Sequence, residues 1–146
     1  MKKFFSIVMA SFCVIGFLNG VTPIEADADD YLGDYCWNFS NPTRGTSGTT
    51  RLGVTHIGGG HYLLSGVSTL TYPILMQFPV FGNAEIVGGE IIVTTILAGI
   101  RNGVIGIDMG KARLDPTTLN GTFESIGVYF DAVELSEGTL MHTTCQ

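Results

Sequence analysis

The sequence predicts an all-β domain: one antiparallel up-and-down β-barrel of about eight strands, its first and last strands linked by a disulfide between Cys36 and Cys145. Three observations predict it. Apolar and polar residues alternate with a period of two in run after run, the spacing of half-buried strands, and no long stretch carries a helical period. Glycine, 20 of 146 residues and about twice ordinary usage, punctuates those runs. Two cysteines stand at opposite ends of the patterned region, where the first and last strands of a closed barrel meet.

The first 28 residues read as a secretory signal. Lys2 and Lys3 precede an apolar run over residues 4–18, Pro23 breaks it, and Ala26-Asp27-Ala28 offers the small residues that signal peptidase accepts. Residues 29–146 then form the barrel domain, exported to the periplasm or the outside of a bacterial cell. An uncleaved anchor is the alternative, since residues 4–21 approach spanning length.

The elements follow in order. Tyr35, Trp37 and Phe39 alternate with Cys36, Asn38 and Ser40 in a first strand with one aromatic face. A loop over residues 41–50 holds Pro42, Gly45 and Gly48. Strands over 51–57 and 61–69 flank Gly58-Gly59-Gly60. Pro73 and Pro79 bracket a short irregular strand at 74–78, and residues 83–87 lead through Gly88-Gly89 into the run that starts at Glu90 and ends at Ala98. Asn102-Gly103 favours a tight hairpin turn into residues 104–114. Asp115-Pro116 and Asn120-Gly121 bound the next turn, residues 122–131 form a strand, 134–138 read as an acidic turn, and 139–145 come last. Short connections between so many strands suit a closed barrel or a sandwich.

The cysteines favour closure. Cys36 shares its face with Asn38 and Ser40, and Cys145 shares its face with Thr143 and Thr139, so both point to the polar side. A bridge there joins the two ends of the sheet and removes its open edges. Free or intermolecular thiols are the alternative use of the pair.

Gly33-Asp34-Tyr35-Cys36-Trp37, a glycine just before a first-strand tryptophan followed by a meander, resembles the calycin group of barrels, the lipocalins and avidin-like proteins. Leu119-Asn120-Gly121-Thr122-Phe123 is similar to the glycine-plus-aromatic strand starts of such barrels. The resemblance implies architecture over the exported domain. It carries over no ligand residues: Trp37 is alone where avidin-like biotin sites use several tryptophans, and the last strand lacks the basic residue that often packs on the tryptophan in that group.

Function is read from what the chain offers and lacks. A net charge of −6 and few, scattered basic residues argue against nucleic acid. Nucleophile elbow, P-loop, dinucleotide fingerprint and His-Glu-x-x-His are absent, so no cofactor is called for. The reading is a non-catalytic barrel that binds a small apolar or amphiphilic ligand, with Tyr35, Trp37, Phe39 and His142 lining an aromatic cup. One alternative is an interaction protein with a filled barrel. It would form a homo-oligomer through the run from Glu90 to Ala98, where Ile91, Ile92, Val93, Ile96 and Leu97 are apolar on both faces. The other is a cofactor-free cyclase or isomerase, which needs Asp108, Glu124 or His142 inside a cavity, whereas the expected place of Asp108 and Glu124 is the exposed surface. A metal site is expected only at His56 and His61, which face each other across the glycine turn if its loop has two or four residues.

Overall fold

The computed structural model describes residues 30–146, apart from 102, 103, 130 and 131. The expected signal segment, the residues before 29, lies outside the described residues, as does the Asn102-Gly103 step. Among the described residues the chain forms eight antiparallel strands: β1 (Asp30–Asn41), β2 (Thr46–His56), β3 (His61–Tyr72), β4 (Met76–Val87), β5 (Glu90–Arg101), β6 (Val104–Leu114), β7 (Gly121–Tyr129) and β8 (Ala132–Thr143). Each pairs with the next, and β8 returns to β1, so the sheet is a closed barrel. Closure pairs Cys36 with Thr143 and Trp37 with His142.

The disulfide lies on this seam. Cys36 and Cys145 are bonded with Cα atoms 5.2 Å apart, and they close 109 residues of chain. Restricting the unfolded chain by a loop of that length contributes about 4–5 kcal/mol in the chain-entropy model.

Alternation along each strand sorts the side chains. Trp37, Leu52, Leu64, Val80, Val93 and Leu114 turn inward and form the core. The strands are longer and the connections tighter than the sequence pattern suggests. The runs at 74–78 and 83–87 belong to one strand, β4, which accommodates Pro79 because pairing to β5 begins only at Val80↔Leu97. No ladder bond to β5 is therefore lost at the proline. The loop expected over 41–50 shrinks to a turn closed by the Gly45 N–H on the Pro42 carbonyl, 3.2 Å. Residues 134–138 are strand, not turn: Ser136 and Gly138 point inward, and Glu137 pairs across to Glu124 on the outside.

Two glycines inside the wall let neighbouring strands approach closely. A Cβ at Gly66 would lie 1.9 Å from the Arg51 carbonyl oxygen, and one at Gly82 would lie 2.2 Å from that of Thr94. Such glycines allow strands to bend as a barrel closes. Gly66→Ala and Gly82→Ala are each expected to destabilise the fold by about 3 kcal/mol, the upper range for overpacking, measured by urea unfolding under oxidising conditions. Midpoints unchanged from the parent would contradict this account of the bends.

Candidate functional site

The closed wall encloses a cavity of about 900 Å³ that runs the length of the barrel. One end is aromatic. Tyr35, Trp37 and Phe39 project into it from alternate positions of β1, joined by Phe123 from β7 and Leu140 from β8. Tyr35 and Trp37 stack at 6.3 Å between ring centroids with 24° between planes. His142 packs edge-on against Trp37 at 5.9 Å. It is exposed and is not among the cavity-lining residues, so the structure brings three of the four expected aromatic-cup residues to the cavity and sets the fourth behind Trp37.

The turn between β6 and β7 fixes that indole. Trp37 Nε1–H donates to the Leu119 carbonyl at 2.8 Å. Leu119 holds φ at 58°, the left-handed region, which costs a non-glycine residue about 1–2 kcal/mol. Asp115 braces the turn: its carboxylate accepts from the backbone N–H groups of Thr117 and Thr118 and from the Thr118 hydroxyl, while its N–H and carbonyl bond Asn120 and Leu119. The Asn120 side chain accepts from the His142 N–H at 2.7 Å, tying the turn to β8.

The opposite end holds the ionic groups of the interior, and Arg44 organises them. Arg44 sits in the β1–β2 turn, where its N–H donates to the Asn41 side chain at 3.1 Å. Its guanidinium enters the barrel, pairs with Asp108 of β6 and donates to the Glu134 carbonyl of β8 at 3.2 Å. Nε lies 3.6 Å from the Glu134 carboxylate and, buried, has no hydrogen-bond partner among the described residues. Behind it Asn41 donates to Ser136, which bonds Ser125 at 2.8 Å, and Thr50 bonds Ser68 at 3.0 Å. The ions thus sit on one side of this end, while Leu70, Met76 and Phe78 of β3 and β4 line the other.

The sequence, with Asp108 on the face opposite Ile107 and Met109, favours exposure for this acid; the structure instead places it inside, where Arg44 pairs with it, and turns Ile107 and Met109 outward. Sequence reasoning missed Arg44. The local signal is slight, an arginine in a Pro-Thr-Arg-Gly turn beside the inward Asn41. Glu124 points outward and is exposed. The expected histidine pair does not form. The turn closes with the Ile57 N–H on the His61 carbonyl, and Gly58, Gly59 and Gly60 all take positive φ. His56 therefore faces Tyr62, with ring centroids 5.2 Å apart, and His61 falls on the outer face near Glu85. Among the described residues no group of three or more metal-ligating side chains converges.

The chain matches no protein-family model, and no curated protein matches it. Among solved structures it is similar to a redesigned β barrel, mFAP1, bound to DFHBI, at 14% identity over 75% of this chain and 92% of that chain, with a TM-score of 0.46.

Two predictions follow from the two ends. Arg44→Met leaves Asp108 and Glu134 close together without their cation and is expected to cost about 3 kcal/mol, as for breaking a largely buried pair. Adding Asp108→Leu should recover part of that loss in a thermal-unfolding cycle. Hydrogen bonds from the Thr118 backbone and hydroxyl hold the Asp115 carboxyl below its usual range. A carboxylate depressed in the fold stabilises it above the unfolded pKa of about 3.9, and that stabilisation is lost as pH falls through the lower folded value. Asp115→Ala is expected to shift Trp37 emission at neutral pH and to remove this part of the acid dependence, followed by fluorescence between neutrality and acid.

Proposed function

We propose that this protein is an exported, non-catalytic barrel that binds a small amphiphilic molecule in its interior. The observation that carries the reading is the hollow core: a cavity of about 900 Å³, within the range of small-molecule sites, where a self-filling eight-stranded barrel would place side chains. The ionic cluster at one end sets the orientation. The apolar part of the ligand lies against Trp37, Phe39 and Phe123, and a polar head faces the Arg44–Asp108–Glu134 cluster. The absence of chemistry in this reading rests on both inward acids, Asp108 and Glu134, being committed to Arg44. Export is supported by the signal-like residues 1–28 and by the disulfide, a bond that persists in oxidising compartments. Kinship with the calycin group is supported by the glycine-to-tryptophan start of β1 and the meander that follows it.

A second role, self-association through the strand from Glu90 to Ala98, is favoured by Ile96 and Ala98, which both point outward and are exposed.

The test of the ligand reading uses the protein purified from the full chain. Titration with neutral hydrophobic fluorophores is expected to quench or shift Trp37 emission saturably. Ala112→Trp, which fills the interior from a buried position, should abolish fluorophore binding, scored by the dye's own emission while the far-ultraviolet spectrum stays that of a sheet. A panel of apolar and amphiphilic molecules that leaves the wild-type emission unchanged would sink the reading.

A further inference from the structure

The outer surface carries a feature that ligand binding does not use. One circumferential row of outward positions runs Asp34–Gly53–Ser65–Phe81–Ile96–Met109–Ile126–Leu135, each opposite the next across a strand pair. The first three, on β1–β3, are polar or glycine. The last five, on β4–β8, are all large and apolar, and each is between 42% and 70% exposed. A second row beside it, Ala98–Ile107–Val128–Val133, is exposed and apolar as well. On its other side the patch is bordered by a polar row, Asn83–Thr94–Lys111–Glu124–Glu137.

We propose that this β4–β8 face is the contact between two copies of this chain. The inference rests on the self-association reading and moves its centre from the β5 strand to β6 and β7. Of the outward residues of β5, Ile96 and Ala98 belong to the face. Thr94 lies in its rim, and Ile92 lies beyond it, half-buried between Glu85 and Arg113.

Three observations choose a second copy as the occupant. The first is extent. Strands about 4.8 Å apart make a row of five roughly 20 Å long, and two apolar rows with a polar border reach the scale of a standard interface, about 800 Å² per partner. An exposed apolar patch of a few hundred Å² is already unusual on a monomer. The second is shape. Barrel strands tilt by about 35–45°, so a row perpendicular to them climbs the wall as it crosses, and its five apolar residues turn through only about a third of the circumference. The face is therefore one-sided, as an isologous contact requires. The third is charge. The rim holds both signs, Lys111 with Glu124 and Glu137, all exposed. A twofold axis through the patch can set the lysine of one copy against the glutamates of the other. An anionic membrane would be repelled by a chain of net charge −6.

The test is light scattering coupled to size exclusion on the protein from the full chain, at concentrations up to about 100 μM, where even a weak dimer of that dissociation constant is populated. The wild type is expected to run as a dimer. Met109→Glu with Ile126→Glu should raise the dissociation constant by about a hundredfold, the effect of disrupting central contacts, while fluorophore binding in the cavity and the sheet spectrum stay unchanged. Ile92→Lys should leave the dimer intact. A dimer that survives the Met109/Ile126 variant but dissociates with Ile92→Lys would overturn the face and keep the β5 reading. A wild-type monomer would overturn both, and a monomer that sediments with phosphatidylcholine vesicles would assign the face to a bilayer instead.

Discussion

Every other feature of this molecule depends on the pairing of β8 with β1. Until those strands meet, the chain is an open meander with two unpaired edges and no inside. Once they meet, period-two alternation acquires a direction on all eight strands together. One set of side chains becomes the lining of a cavity and the other becomes an exterior. The register of closure, Trp37 beside His142 and Cys36 beside Thr143, also decides what the aromatic end looks like. It brings the last strand against the tryptophan, and the Asp115 turn then presents a carbonyl to the indole.

Much of this was legible before any coordinate. The alternation of Tyr35, Trp37 and Phe39 correctly put three rings on one face, and the outward parity of Cys36 and Cys145 correctly implied a bond across the seam. What escaped was set by tertiary pairing and not by local pattern. Residues 134–138 look like a turn because two glutamates and a glycine crowd together, yet Glu134 is inward and partnered by Arg44, and Glu137 belongs to an outer polar row. Likewise, the facing of His56 and His61 hung on the conformation of a glycine turn. Positive φ at all three glycines let the strands pair in the register that separates the histidines. Arg44 was illegible for a related reason: a turn residue's periodicity says nothing about which way its side chain folds.

The low charge of the chain, 14% of residues, has a structural counterpart. The interior spends its few ions in one place, around Arg44, and leaves the rest of the cavity to aromatic and aliphatic carbon. Outside, the charges of β5–β8 gather in rows beside the turn that braces Trp37, as Glu90 with Arg113 and Lys111 with Glu124 illustrate. The rows toward the Arg44 end carry large apolar side chains. Inner and outer surfaces are thus both graded along the barrel.

The seam itself has a last consequence. β1 and β8 share five residue pairs, from Cys36↔Thr143 to Ser40↔Thr139, whereas β5 and β6 share eleven. Fewer hydrogen bonds would make this seam the natural place for the wall to part and admit a guest sideways. The Cys36–Cys145 bond removes that lateral gate, because the two strands cannot separate at that point without breaking a covalent link. With the bond in place the short seam is pinned covalently at its Cys36 end. Reduction would leave five backbone pairs as the tie between first and last strands, so the closure that defines the interior is sensitive to the redox state of its surroundings.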